Sequence, residues 1–104
     1  MIVNTPNPPY YSVIFTSLKK SDDGYQAMAV RMMDLASRTQ GFIGMESAKD
    51  ELNITVSYWT DLASIKAWKN NAEHLIAQEL GREKWYDRYK TRIALVERDY
   101  GHNL

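Results

Sequence analysis

The residues most suited to chemistry lie close together in the second half of the sequence. His74, Gln78 and Trp85 fall on one face of a predicted helix. An imidazole and an amide beside an indole can donate and accept hydrogen bonds next to a flat ligand. This face predicts either a binding cleft with His74 as base or orienting group, or a half-exposed histidine at the start of a helix with no chemical role.

Other kinds of active site lack the residues that they need. The sequence contains no cysteine, which excludes disulfides, thiolate metal ligands and cysteine nucleophiles. His74 and His102 are its two histidines, and neither belongs to a zinc-binding motif such as HExxH. The five glycines are scattered singly, so no phosphate-binding loop is evident, and no GxSxG motif marks a serine nucleophile. We therefore expect no metal site and no nucleotide cofactor.

A basic and aromatic segment, REKWYDRYKTR at residues 82–92, could bind a single nucleic-acid strand by stacking and charge neutralisation. However, the 13 basic and 13 acidic residues of the chain cancel, so it lacks the long-range field that draws proteins to phosphate backbones or anionic lipid. Core packing explains Trp68, Trp85 and Tyr89 more simply, because aromatic side chains bury large areas in any protein. We expect neither nucleic acid nor a membrane as a partner.

The first elements that position these residues follow from hydrophobic spacing. Residues 10–18 form a β-rich run with apolar side chains on both faces. A helix from Tyr25 comes next, with SDDG at 21–24 as its predicted N-cap and Gly41 as its predicted end. Two strands follow at 42–50 and 53–59, joined by a tight turn.

The second helix is predicted in two pieces. Thr60 or Asp61 caps the first piece, and two asparagines at 70–71 interrupt it. The second piece then runs toward Tyr89 with a break at Gly81.

The last strand, residues 91–100, completes the order β-α-β-β-α-β. This order predicts an α+β, ferredoxin-like fold, in which a four-stranded antiparallel sheet carries its helices on one face. The RNA-recognition motif shares the order, but its third strand contains glycine and a basic residue, whereas NITVSYW at 53–59 contains neither. Because the first strand is apolar on both faces, we predict a homodimer packed sheet to sheet into an α+β barrel.

Length and composition fit one domain. The chain has 104 residues, of which 44% are hydrophobic and 25% charged. All three prolines lie in residues 1–9, which predicts an extended N-terminal arm before a domain at 10–100 and a tail at 101–104. The arm does not have the pattern of a signal peptide and no apolar run is long enough to span a membrane, so we expect a cytoplasmic protein.

Three segments resemble the antibiotic biosynthesis monooxygenase (ABM) superfamily of dimeric α+β barrels. They are GFIGMES after the first helix, SYWTDLASIKAWKNNAEH across the third strand and next helix, and WYDRYKTRIALVERDY near the end. The resemblance covers about residues 10–100. It implies a cleft between sheet and helices for flat hydrophobic molecules, such as polyketide quinone precursors or heme. For many members it implies oxidation by O₂ without flavin or metal, in a dry pocket that helps to deprotonate the substrate.

The pattern of the heme-degrading branch is matched only in part. Its helix tryptophan corresponds to Trp68. Gln78 stands where that branch has the heme-ligating histidine, and residues 15–17 offer no counterpart to its first-strand asparagine. The resemblance therefore implies a relative of the heme-degrading enzymes that uses no cofactor, with heme binding as the alternative.

These observations leave three hypotheses. The first is a cofactor-independent monooxygenase-like enzyme that acts on a flat, quinone- or polyketide-like substrate, with His74 as its catalytic residue. The second is a non-catalytic dimer that binds a small molecule or heme in the same cleft, and the third is a dimeric scaffold whose cleft is filled. The predicted substrate-binding residues are Trp68, Gln78, Trp85, Arg92 and Tyr58.

Overall fold

The computed structural model describes residues 1–19, 25–78 and 86–104. Its elements are β1 (Tyr10–Lys19), α1 (Tyr25–Ser37), β2 (Phe42–Ala48), β3 (Asn53–Trp59), α2 (Leu62–Gln78) and β4 (Tyr86–Val96). The strands form one antiparallel sheet in the order β2-β3-β1-β4. The predicted α+β, ferredoxin-like fold is confirmed.

The two faces of the sheet differ because side chains alternate along each strand. The inner face, which the helices cover, carries Val13 and Trp59, which are 4% and 0% exposed. Both pack with Ala36 of α1 and Ile65 of α2 in the hydrophobic core. The Trp59 ring also lies 5.5 Å from the ring of Trp68 on α2. These contacts hold α2 over the sheet and place Trp68 at the edge of the core.

α2 begins where the sequence predicts but is not interrupted. The Asp61 carboxylate accepts a hydrogen bond from the backbone N–H of Ser64 at 2.7 Å, as an N-cap should. The helix continues through residues 70–71 to Gln78, so the predicted interruption there is wrong. Burial of one face of the helix outweighs the weak helix preference of asparagine. The predicted break at Gly81 lies outside the described residues.

The last strand is displaced toward the N-terminus relative to its prediction. β4 begins at Tyr86 instead of residue 91, and it ends at Val96 instead of residue 100. Residues 86–89, predicted as the end of a helix, are strand because they pair with the end of β1. The pairing with β1, which is distant in sequence, decides the structure of these residues. The local spacing of hydrophobic residues does not reveal this pairing.

The connection between α1 and β2 also differs from its prediction. α1 ends at Ser37, before the predicted stop at Gly41. Gly41 instead precedes β2 with a φ of 95°, a conformation that favours glycine. Its carbonyl accepts a hydrogen bond from the Thr60 N–H at 2.8 Å, which joins the start of β2 to the end of β3. The predicted N-cap of α1 at 21–24 lies outside the described residues, and β2 ends at Ala48 instead of residue 50.

The outer face of the sheet, which points away from the helices, carries a cluster of two tyrosines and two carboxylates. The Tyr58 hydroxyl donates to Glu46 at 2.6 Å, and the Tyr10 hydroxyl donates to Asp99 at 2.6 Å. The two tyrosine rings meet edge to face with their centroids 5.9 Å apart. The backbone N–H of Val3 donates to the second Glu46 oxygen at 2.8 Å. The tyrosine–carboxylate cluster therefore holds the N-terminal arm against the sheet.

The rest of the outer face has an ordered distribution of charge. One row of cross-strand neighbours runs from Glu46 on β2 through Val56 and Ile14 to Arg92 on β4. The row is acidic at one edge of the sheet, apolar in its middle and basic at the other edge.

Candidate ligand-binding cleft

A cleft of about 620 Å³ lies between the inner face of the sheet and the two helices. This volume is within the range of about 300–1,000 Å³ that is usual for small-molecule sites. The walls are largely apolar, and hydroxyl and amide side chains lie along the floor. Among the described residues, the apolar side chains of the lining are Val13, Phe15, Met28, Ala29, Met32, Met33, Met45, Ile65, Trp68, Ala72, Tyr89 and Ile93.

Trp68 presents a buried hydrogen-bond donor in this lining. Its indole Nε1–H is out of contact with solvent and has no acceptor in the part of the chain that the structure describes. A buried donor without a partner costs about 1–3 kcal/mol, so such groups in native structures call for an explanation. An acceptor oxygen on a bound ligand would supply the missing partner.

Methionine forms much of one wall of the cleft. Met28, Met32 and Met33 come from α1, and Met45 comes from β2 across the sheet. The unbranched, polarisable methionine side chain adapts to irregular surfaces and makes favourable contacts with aromatic rings. Together with Trp68, this wall suits a broad aromatic ligand.

Charged side chains complete the lining. Lys69 and Glu73 lie on the same stripe of α2 as Ile65 and Trp68. Lys49, just beyond the end of β2, and Lys90 on β4 also line the cleft. Sequence reasoning did not assign any of these four residues to the cleft. The signal was nevertheless present, because positions 65, 68, 69 and 73 have the spacing of one helical face.

Several predicted site residues lie elsewhere. His74 follows Glu73 on α2, but its side chain is exposed and does not line the cleft. Tyr58 and Arg92 are paired across the sheet with Ser12 and Ile14, so both lie on the outer face. The alternating pattern of a strand that is apolar on both sides does not tell which side faces the helices.

Trp68 lines the cleft, and its role in substrate binding stays a prediction. Gln78 is the last residue of α2, and the environment of its side chain lies outside the described part of the chain, as does Trp85. The structure therefore brings Trp68 together with charged residues that were not predicted, and it separates Trp68 from Tyr58 and Arg92.

The described residues do not form a metal centre. In residues 1–19, 25–78 and 86–104, no group of three or more histidine, aspartate or glutamate side chains could hold a metal ion. The described lining also contains no histidine, so it does not offer the imidazole that heme iron would need. None of the helices in these same ranges is both long enough and apolar enough to cross a membrane.

Comparisons with known proteins relate the chain to one curated protein and to several solved structures. No family model matches the sequence. The uncharacterized protein YqjZ of Bacillus subtilis (strain 168) is 47% identical over 97 residues, which cover 90% of this chain and 85% of that protein.

Solved structures with low sequence identity share the fold. SnoaB, a cofactor-independent oxygenase from Streptomyces nogalater, is 13% identical with a TM-score of 0.61, and the match covers 92% of this chain and 98% of SnoaB. A candidate antibiotic biosynthesis monooxygenase from Bordetella bronchiseptica is 13% identical with a TM-score of 0.63, over 84% of this chain and 96% of that one. At these identities the likeness shows the fold alone.

Proposed function

Because the chain belongs to the same family as YqjZ and has the antibiotic biosynthesis monooxygenase fold, we propose that it is a cofactor-independent monooxygenase that acts on a flat, hydrophobic, quinone- or polyketide-like substrate. The observation that carries this proposal is the buried Trp68 Nε1–H, which lacks an acceptor among the described residues and belongs to a side chain that lines a methionine-rich cleft. A ring system with a carbonyl or phenol oxygen fits both features.

The proposed reaction converts a ring CH₂ group, activated as in an anthrone, into a carbonyl. The substrate loses a proton, and the resulting carbanion transfers one electron to O₂. The two radicals combine into a peroxide, which takes up a proton and then loses water. One atom of O₂ enters the product and the other leaves as water, so electrons and atoms balance.

Residues of the cleft would serve distinct steps of this reaction. Negative charge develops on the substrate oxygen when the proton is lost, and a preorganised N–H donor such as that of Trp68 stabilises it. Glu73, the carboxylate of the described lining, would accept the proton, whereas His74 is exposed and does not line the cleft. The apolar walls exclude water from the intermediates.

Oxygen consumption tests the proposal. With 1,8-dihydroxyanthrone as substrate, we expect O₂ uptake above the uncatalysed rate and one ¹⁸O atom from ¹⁸O₂ in the product. Trp68→Phe keeps most of the aromatic wall and removes the N–H, so kcat should fall about tenfold or more. His74→Ala is the control and should leave the rate unchanged. Binding without O₂ uptake would instead identify a non-catalytic ligand-binding protein, and a Soret shift with hemin would identify a heme-binding one.

We also propose that a second copy of the chain covers the outer face. Ile14 and Val56 occupy the middle of that face, and a two-fold axis between the two sheets and parallel to the strands would bring the Glu46 edge of one copy toward the Arg92 edge of the other. Ile54, which is 37% exposed, adds to the apolar area. Light scattering should give a mass near twice 12.1 kDa, and Ile14→Lys should reduce it to 12.1 kDa. A wild-type mass of 12.1 kDa at micromolar concentration would refute the dimer.

A further inference from the structure

The charged residues of the cleft are not balanced. Lys69 comes from α2, Lys49 from the segment that follows β2 and Lys90 from β4, so three ammonium groups from different elements border the cleft among the described residues. Glu73 is the carboxylate of this set. Within the part of the lining that the structure describes, the ammonium groups therefore outnumber the carboxylate.

The imbalance is local, because the whole chain has a formal net charge of zero. Beside these charges lie Trp68 and the methionine wall, which form surroundings of lower dielectric constant than water. Charges next to such surfaces interact more strongly than charges surrounded by solvent. A ligand group with negative charge would therefore gain most at this margin of the cleft.

We propose that the cleft selects aromatic ligands that carry an anionic oxygen group, either a carboxylate or an ionised acidic phenol. The ring system lies against Trp68 and the methionines, and Lys69 holds the anionic oxygen at the margin. This inference rests on the proposed function for the identity of the cleft as the ligand site. It concerns binding only, so it can be tested without turnover.

The test is a pair of anaerobic titrations followed by tryptophan fluorescence. Anthraquinone-2-carboxylate and anthraquinone-2-carboxamide have nearly the same shape and differ in charge. We expect the carboxylate to bind about fivefold more tightly at low salt, the size of a partly exposed ion pair, and the difference to shrink in 0.5 M salt. Alizarin tests the acidic phenol. If a phenolate is the natural group, the colour change of alizarin on ionisation should occur at lower pH when alizarin is bound than when it is free.

Three variants assign the effect to its residue. Lys69→Met keeps a long apolar side chain and should remove the preference for the carboxylate without changing the affinity for the carboxamide. Lys66→Met is the matched control, since Lys66 is exposed on the same helix and does not line the cleft. Glu73→Gln removes the opposing charge and should strengthen the preference. Thermal unfolding of each variant checks that the fold is intact.

Equal affinity of the wild-type protein for the carboxylate and the carboxamide would overturn the inference. An equal loss of affinity for both ligands in Lys69→Met would overturn it too. If Lys66→Met reduced the preference for the carboxylate as much as Lys69→Met does, the inference would also be overturned. The preference would then come from the overall positive charge of the helix and not from Lys69. Failure of both anthraquinones to bind at their solubility limit would refute it as well. None of these outcomes measures O₂ uptake, so failure of the oxygenase proposal remains a separate result.

Discussion

Replacing Tyr58 by phenylalanine removes one hydroxyl and leaves the ring in place, so it tests the tyrosine–carboxylate cluster directly. The hydroxyl donates to Glu46 at 2.6 Å, and hydrogen bonds to charged groups contribute about 1.5–3 kcal/mol. Tyr58 is half-buried, so competition with solvent reduces this contribution. We expect Tyr58→Phe to lower the free energy of unfolding by about 1–2 kcal/mol, which corresponds to a Tm decrease of roughly 4–8 °C for each kcal/mol.

The same hydrogen bond predicts a dependence on pH. Burial, followed by the hydrogen bond to Glu46, raises the pKa of Tyr58 from 10.0 to about 12. Because the folded pKa exceeds the unfolded one, this stabilisation is complete below pH 10 and is lost as the pH rises toward about 12. The hydrogen bond from Tyr58, followed by that from the Val3 N–H, lowers the pKa of Glu46 from 4.5, so the contribution of Glu46 is present above that pH and is lost in acid. Tyr58→Phe should weaken both trends.

Urea unfolding followed by circular dichroism measures these changes at a fixed protein concentration. A cycle of Tyr58→Phe, Glu46→Gln and the double variant isolates the coupling, which we expect to be about 1 kcal/mol. Tyr100→Phe is the control, because Tyr100 is 86% exposed and its hydroxyl should contribute little. If Tyr58→Phe matches Tyr100→Phe, or if the two single variants are additive, the hydrogen bond does not stabilise the fold as argued.

Three other substitutions test local features of the fold. Gly41→Ala should lower the free energy of unfolding by about 1–3 kcal/mol, because φ is 95° and a Cβ would collide with Ser64; an unchanged urea midpoint would contradict this. Gly44→Ala would place a Cβ 2.5 Å from Val3, so hydrogen exchange at the Val3 amide should accelerate while the core amides stay protected. Asp61→Ala should lower the Tm by removing the cap of α2, whereas Asp61→Asn should retain most of it; equal losses would argue against capping.

The order of helices and strands was predictable from the sequence because the type of each element depends on the spacing of its own hydrophobic and capping residues. The Asp61 cap and the strand 53–59 were found in this way and agree with the structure. The start of β4 at Tyr86 was not, because those residues are strand only through their pairing with β1. Long-range pairing is absent from the local pattern that was used to predict a helix there.

The candidate site was less predictable than the fold. Trp68 was identified through the resemblance to a family, and it lines the cleft. His74 was chosen for its chemistry, but its neighbour Glu73 occupies the stripe that faces the sheet. One helical position corresponds to a rotation of about 100°, so the residue type alone does not decide which of two neighbours lines a cleft. The angular position of each residue around the helix, relative to the buried residues Ile65 and Ala72, would have shown that Glu73 and not His74 faces the sheet.

The hydrogen bond between the Thr5 hydroxyl and Asp99, 3.3 Å long, brings the two ends of the folded unit together on the side of the sheet away from the cleft. A short peptide could therefore join them, and the chain could be reopened at Glu51–Leu52 in the exposed connection between β2 and β3. Such a circular permutant would keep every strand pair while reversing the order in which the two halves are synthesised.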